Sequence, residues 1–169
     1  ILNEVRSTAP SLLAGPMEVA GERAQVVVAN PAGLQCDGCG FINATQPMLV
    51  AGIARVEADR LAGFSVREGT ITFTGAGLDG RDQDYTAILA RAVRVDAAVS
   101  SQSLAVVAGP HDITLDADGR VASAIPQADG TGTRPVAIDV SALGGMYAGK
   151  IHLVGRGADI GVRNAGVIG

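Results

Sequence analysis

The stretch Gln25–Asn43, QVVVANPAGLQCDGCGFIN, decides how the rest of the chain is interpreted. Three consecutive valines lead into Asn30-Pro31-Ala32-Gly33, and Cys36-Asp37-Gly38-Cys39 follows after Leu34-Gln35. Short apolar runs bounded by turn residues are typical of strands. The stretch therefore predicts a β-strand, a tight turn, a short link, a second tight turn and another strand.

The first turn has a specific chemistry. Asn at its first position, Pro at its second and Gly at its fourth are typical of a type I turn, because Pro pre-sets φ and Gly accepts an unusual exit conformation. A type II turn would need Gly or Asn where Ala32 stands. The tetrapeptide Asn30-Pro31-Ala32-Gly33 therefore predicts a type I turn.

The pair Cys36 and Cys39 allows three interpretations. A redox motif would need a βαβ context and a helix N-terminus, which the surrounding residues do not supply. A zinc site would need a second pair of ligands, and His111 and His152 are distant and isolated. A disulfide fits, because the ends of a four-residue turn lie less than about 7 Å apart, and closing so short a loop contributes about 2 kcal/mol. We favour the disulfide, with two free thiols second and a metal site last.

These residues also carry a resemblance. The segment 29–34, followed by 36–43, resembles the signature of the secretion domain of two-partner-secretion exoproteins. That family contains filamentous haemagglutinin-like adhesins, haemolysins and contact-dependent growth-inhibition toxins of Gram-negative bacteria, and the last group is the most similar. The resemblance extends over nearly the whole chain through the segments 1–5, 17–21, 88–92 and 136–147. Ala32 departs from the pattern, since the family usually has Asn or Ser there.

The resemblance implies a fold and a set of site residues. The fold would be a right-handed parallel β-helix, a single-stranded solenoid, spanning residues 1–169 without the N-terminal cap segment and signal peptide of the family. Some family members carry the cysteine pair and others lack it, which supports a disulfide that is not indispensable to the fold. The implied secretion motif consists of Asn30, Pro31, Ala32, Gly33, Leu34 and Asn43.

The resemblance also implies a function. The chain would be a non-enzymatic secretion domain of a large exoprotein, recognised by an outer-membrane barrel transporter of the two-partner type. It would reach the cell surface or the medium through the periplasm and outer membrane of a Gram-negative bacterium, and it would template β-helix folding there. No cofactor or metal is implied.

Asn43 is expected at a corner or pointing inward, where it would bond backbone groups that lack partners.

Composition agrees with a single β-rich domain. The 169 residues suit one domain with its own core, and 23 glycines favour many turns over long helices. Aromatic residues make up 3%, Trp is absent, and the net charge is −4. Without a basic cluster or stacking aromatics, nucleic-acid binding is not expected. No apolar run reaches the ~18 residues of a membrane span.

The order of the short apolar segments favours a solenoid. Val99, Leu104 and Val106 align with Met146, Ile151 and Leu153 at a constant offset of 47 positions. Internal repeats of short strands with brief corners indicate a solenoid, although periodicity alone leaves a two-layer sandwich as an alternative. Residues 53–63 and 110–135 are predicted to be hairpins or loops that leave the stack. Residues 1–16 are expected to be irregular, with Asn3-Glu4-Val5 as a candidate short strand, and residues 75–80 are expected to be rich in turns.

Few other residues suggest chemistry. His111 is expected at the solvated surface, and His152 should point outward from a strand because it alternates with aliphatic residues. Asp79, Asp82 and Asp84 crowd a polar corner whose spacing is not that of an EF-hand loop, so a solvated corner is expected rather than a calcium site.

Two other function classes stay open at this point. A carbohydrate- or receptor-binding adhesin module is the main alternative, although the aromatics available for stacking on a sugar are few. A polysaccharide lyase or hydrolase would need clustered carboxylates or cations, which the sequence does not show. An uncovered coil edge at the start of the chain would also permit a homodimer.

Overall fold

The computed structural model describes residues 1–128, 136–155 and 161–169, and these residues contain strands and no helix. None of them therefore forms a helix able to cross a membrane. The strands, in chain order, are β1 (Leu2–Glu4), β2 (Ser11–Leu13), β3 (Pro16–Glu18), β4 (Ala24–Ala29), β5 (Gly33–Ile42), β6 (Ala44–Val50), β7 (Ile53–Glu57), β8 (Arg60–Val66), β9 (Thr70–Gly80), β10 (Thr86–Ala90), β11 (Ala92–Val95), β12 (Ala98–Ala108), β13 (His111–Leu115), β14 (Val121–Pro126), β15 (Val136–Val140), β16 (Gly145–Gly155), β17 (Gly161–Asn164) and β18 (Val167–Ile168).

Parallel pairing arranges most strands in three stacked faces. Face 1 contains β1, β4, β6, β10 and the second halves of β12 and β16. Face 2 contains β2, the first halves of β5 and β9, then β11, β15 and β17. Face 3 contains β3, the second halves of β5 and β9, the first halves of β12 and β16, and β18. The chain passes through the three faces in turn, so the described residues form six successive coils, numbered here from the N-terminus.

This arrangement is a parallel β-helix, as the resemblance implied, and it removes the sandwich alternative. The predicted alignment at an offset of 47 is the actual strand register, because Val99, Leu104 and Val106 pair with Met146, Ile151 and Leu153. The offset exceeds the spacing of the other coils, since Ala87 pairs with Ala105. The difference arises because the fifth coil also contains the inserted strands β13 and β14.

The inside of the coils is a narrow aliphatic core. On face 2, Ile71 and Phe73 point inward and are fully buried, whereas Thr72 and Thr74 are only partly buried. Equivalent inward residues stack from coil to coil, and Leu34, Ile71, Val93 and Ile138 form one such ladder. Alternation of apolar and polar residues therefore indicates a strand with one buried side.

Two inserted hairpins form a second sheet. Strands β7 and β8 pair antiparallel, as do β13 and β14, so both predicted hairpins are present; residues 129–135 lie outside the described part of the chain. The hairpins do not project into solvent as separate excursions, because β8 pairs antiparallel with β13. The resulting four-stranded sheet has the order β14-β13-β8-β7.

The second sheet covers the outer side of face 1 and creates a second core. Phe64, Val66 and Ile113 from the hairpins pack against outward residues of face 1, among them Met48 and Leu89. This explains why face 1 strands are continuous apolar runs, such as residues 26–29 and 87–90, and do not alternate: they are buried on both sides.

Two sequence expectations are wrong in detail. Residues 1–16 contain β1, close to the candidate strand at residues 3–5, but they also contain β2 and the start of β3, where irregular structure is expected. The turns expected at 36–39 and 75–80 lie inside β5 and β9, which bend between faces 2 and 3 without ending. Gly38 and Gly75 have φ values of 70° and 57° at these bends, and the register between the two strands shifts there. A bulge with glycine in the left-handed region bends a strand while pairing continues on both sides.

Candidate functional site

The corner between faces 1 and 2 in the second coil is the predicted tight turn. The Gly33 amide donates to the Asn30 carbonyl over 2.9 Å, and the Ala32 amide donates to Asn30 Oδ1 over 3.0 Å. Gly33 has φ +118°, and a Cβ there would lie 2.6 Å from the Thr70 carbonyl oxygen of the next coil. The turn therefore needs Asn at its start for the side-chain bond and Gly at its end for both conformation and space.

The Asn30 side chain joins this corner to the first coil. It is fully buried, and Nδ2 lies 3.2 Å from Ser7 Oγ, 3.0 Å from the Ala9 carbonyl and 2.9 Å from Ser11 Oγ. The amide nitrogen carries only two hydrogens for these three acceptors, so two of the acceptors must share one hydrogen. The segment 5–10 contains no strand, and Asn30 supplies the donor that a neighbouring strand would otherwise provide.

Asn43 makes similar side-chain bonds to the first coil from another corner of the second coil. It lies between faces 3 and 1 with φ 58°, a conformation in which Asn is better tolerated than most residues. Its Nδ2 donates to the Val19 carbonyl over 2.9 Å and to the Gly21 carbonyl over 2.7 Å. Two side-chain amides of the second coil thus hold the two irregular corners of the first coil.

The cysteine pair lies at the corner between those two asparagines. Cys36 and Cys39 form a disulfide with a Cα–Cα distance of 5.2 Å across the bend in β5. Cys36 is fully buried and Cys39 is 2% exposed, and both belong to the interior core. Leu34, which also belongs to the predicted motif, is likewise buried and stacks on Ile71. The stretch 30–43 therefore forms all three corners of one coil.

The acceptors in the first coil could not be identified from the sequence. Ser7, Ala9 and Ser11 lie in a segment that we interpreted as irregular, and the Val19 and Gly21 carbonyls belong to an ordinary strand end and turn. The only sequence signal is the pair of asparagines itself, since Asn favours turns where it bonds backbone groups.

The two histidines differ in environment. His152 is exposed, as predicted from its alternation with Ile151 and Leu153. His111 is fully buried, so the expectation of a solvated surface residue is wrong. It begins β13, whose alternate residue Ile113 faces the second core, and strand pairing with Val66 carries His111 to the same side.

The acidic corner is solvated, as expected. Arg81 donates to both carboxylate oxygens of Asp79, over 2.8 Å and 2.6 Å. These hydrogen bonds, with a further one from the Arg81 amide, lower the pKa of Asp79 to about 2. Within the described residues no three His, Cys, Asp or Glu side chains are placed to hold a metal ion.

Two of the surface depressions lie beside features of interest. One, of about 430 Å³, adjoins the Asn30 turn and is lined by Ser7, Thr8, Pro31, Ala32, Glu68 and Gly69. The other, of about 560 Å³, lies between the hairpin tips and includes Glu57 and Asp116. Glu57 Oε1 lies 3.9 Å from Arg55 Nη1. Asp116 Oδ1 accepts hydrogen bonds from the backbone amides of Asp118 and Arg120. Glu57 is thus paired with a cation, and Asp116 is bonded to backbone amides.

Comparison with known proteins supports the resemblance. A family model described as "TPS secretion domain" matches residues 1–168. Toxin CdiA of Yersinia pestis is 47% identical over 169 residues, and tRNA nuclease CdiA of Escherichia coli strain 536 is 49% identical over 163 residues. The alignments cover 100% and 96% of this chain, and the chain spans about 5% of the length of each relative. Nothing in the comparisons or the described surface favours the adhesin-module alternative.

A solved structure supports the same conclusion. The crystal structure of the filamentous hemagglutinin secretion domain matches with a TM-score of 0.87 and 35% identity. The match covers 99% of this chain and 58% of that chain. Sequence and fold agree, and the chain therefore belongs to the family of TPS secretion domains, the export domains of exoproteins that Gram-negative bacteria secrete or display at the cell surface.

Proposed function

We propose that this domain is recognised, while extended, by an outer-membrane barrel transporter of the two-partner type, and that it nucleates β-helix folding outside the cell. Family membership supports the export role. The nucleation role rests on the side-chain contacts by which Asn30 and Asn43 hold the first coil. The chain itself has no catalytic role in this proposal.

The asparagines make the first two coils self-sufficient. Strands β1, β2 and β3 each pair on one side only within the described residues, so the first coil has few backbone bonds to stabilise it. Asn30 and Asn43 add five side-chain contacts to its two irregular corners. A closed pair of coils then offers a complete strand edge to the third, and each later coil can pair as it emerges.

Binding to the transporter is tested with its isolated periplasmic domains as bait. Unfolded chain in urea is diluted onto the bait and compared with folded chain at the same concentration. We expect capture of the unfolded chain, because strand edges and apolar residues are then accessible. Capture of the folded chain alone would contradict the proposal.

Nucleation is tested by secretion of variants from cells that express the transporter. Asn30→Ala and Asn43→Ala should lower the amount of folded, protease-resistant domain outside the cell. Asn164→Ala is the matched control, since Asn164 Oδ1 also accepts from a backbone amide two residues on, over 3.1 Å, but is exposed in the last coil. Equal secretion of all three variants would count against a nucleating role.

We propose a supporting role for the disulfide at the bend between faces 2 and 3. It closes a loop with a sequence separation of 3, for which chain entropy predicts about 2 kcal/mol. The double variant Cys36→Ala/Cys39→Ala should therefore still fold and be secreted, with a lower urea midpoint. Failure to fold would show that the disulfide is indispensable.

A homodimer through the first coil is a further proposal. Leu12 is 62% exposed on β2, whose outer edge has no partner in the described residues, and such edges favour strand pairing between molecules. Sedimentation velocity of the wild type should show a dimer that Leu12→Lys removes. Leu143→Lys, at a residue 89% exposed in a turn, is the control and should leave the dimer intact.

A further inference from the structure

Both inserted hairpins leave the β-helix at the same corner. The β7–β8 hairpin occupies the corner between faces 1 and 2 in the third coil, and the β13–β14 hairpin occupies that corner in the fifth coil. In the second coil the same corner is the tight Asn30–Gly33 turn, and in the fourth it is Arg91 alone between β10 and β11. Each hairpin then folds back over the outer side of face 1.

The hairpins are joined to one another closely. Gly63 lies so close to the Ile113 carbonyl that a Cβ at this position would overlap it. Arg55 pairs with Gly63 across β7 and β8, and its Nη2 donates to the same Ile113 carbonyl over 2.9 Å. Behind them, Phe64 and Ile113 are fully buried against face 1. Neither hairpin has its native environment without the other.

The tip of the second hairpin reaches back over earlier coils. The Gly119 carbonyl accepts from Gln25 Nε2 of the second coil over 2.8 Å, a contact between residues 94 positions apart. The Val121 amide donates to the Tyr85 hydroxyl, just before the fourth coil, over 3.3 Å. The Arg120 guanidinium lies 5.4 Å from the centroid of the Tyr85 ring. One hairpin thus contacts the second and fourth coils and is anchored in the fifth.

We propose that the four-stranded sheet is a strap that closes after the coils have stacked, and that its closure controls how slowly the domain unfolds. Coil stacking proceeds between neighbours, whereas the strap contacts require the second to fifth coils to be in place at once. The pairing of β8 with β13 spans about as many positions as the stacking of β12 on β16, but the bond from Gln25 to the Gly119 carbonyl spans 94 positions. Contacts of such long sequence separation carry a larger loop-closure cost and form late. Interactions absent from the folding transition state act mainly on the unfolding rate.

The strap has a consequence for export. In the proposed route the strap can close only after residue 126 has emerged, and closure then makes folding outside the cell slow to reverse. This consequence rests on the proposed function, whereas the strap itself rests on the fold. Kinetics of the purified domain therefore test the strap independently of secretion.

The first experiment compares two matched core substitutions by stopped-flow folding in urea. Ile113 and Ile88 are both fully buried, the first under the strap and the second inside the fourth coil. Ile113→Val should raise the unfolding rate about 2- to 10-fold and change the folding rate little. Ile88→Val should place a larger share of its effect on the folding rate. An unchanged unfolding rate for Ile113→Val, or a slowing of folding equal to that of Ile88→Val, would overturn the proposal.

The second experiment needs no variant. Pulse-labelled hydrogen exchange during refolding should show the amides of β4, β6 and β10 protected before those of β13 and β14. Protection of the hairpin amides first, or of both sets together, would overturn the proposal.

Discussion

At the scale of single residues, the buried amide of Asn30 is the feature with the largest expected effect. Asn30→Ala removes a donor to Ser7, Ala9 and Ser11 and leaves these acceptors without it. Ser7 and Ala9 are exposed and Ser11 is half-buried, so water can reach these acceptors once the amide is gone. Each lost hydrogen bond then costs about 0.5–1.5 kcal/mol, and we expect a loss of about 1–3 kcal/mol in the free energy of unfolding. Urea denaturation measures it. Asn164→Ala should cost less than about 1 kcal/mol, and equal losses for the two variants would contradict the explanation.

A second residue-scale prediction concerns acid. The pKa of Asp79, lowered to about 2 by Arg81, lies below the usual value of an unfolded chain, so the carboxylate stabilises the fold above about pH 4. That contribution is lost as the pH falls from about 4 through about 2. Since the side chain is 59% exposed, the contribution should not exceed about 1 kcal/mol.

The test compares the wild type with Asp79→Asn in urea across this pH range. The difference in the free energy of unfolding should be largest at neutral pH and shrink towards pH 2. A difference that stays constant would show that the pair with Arg81 does not contribute through the charge of Asp79.

At the scale of elements, the pairing of the hairpins should depend on the lack of a side chain at Gly63. Gly63→Ala would place a Cβ against the Ile113 carbonyl, so β8 and β13 could not keep their register. We expect faster hydrogen exchange throughout the four-stranded sheet. Gly40→Ala is the control, because a Cβ there has its nearest contact at 3.6 Å and should be tolerated. Unchanged exchange in Gly63→Ala would show that the backbone can shift to accept the methyl group.

At the scale of the whole molecule, the core inside the coils and the core under the hairpin sheet should lose their structure separately. Phe73 lies inside the coils and Phe64 lies under the hairpin sheet, and both are fully buried. Truncating a buried Phe to Ala costs about 3–5 kcal/mol. Phe73→Ala should weaken protection on all three faces, whereas Phe64→Ala should expose chiefly face 1 and the hairpins to hydrogen exchange. Identical exchange patterns would mean that the two layers unfold as one unit.

Much of this architecture could be predicted from local sequence. The Asn30–Gly33 turn follows from the preferences of Asn, Pro and Gly, and the alternation around Ile71 and Phe73 indicates an inward side. The offset that relates Val99 to Met146 is the actual register. The bends inside β5 and β9 were missed, because Asp-Gly and Gly-Ala-Gly are equally typical of a turn that ends a strand and of a bulge that continues it.

What the sequence by itself determined is the set of short aliphatic strands, the tight turn at Asn30 and the approximate position of both insertions. Its resemblance to a known family added the coil. Only the tertiary structure decided that the hairpins pair with each other and bury face 1, which placed His111 inside. Only the tertiary structure, too, identified the acceptors of Asn30 and Asn43 in the first coil. The physical reason is distance along the chain. Turn preferences and alternation act between near neighbours, whereas strand pairing between β8 and β13, or a bond from Gln25 to Gly119, depends on how the coils are stacked.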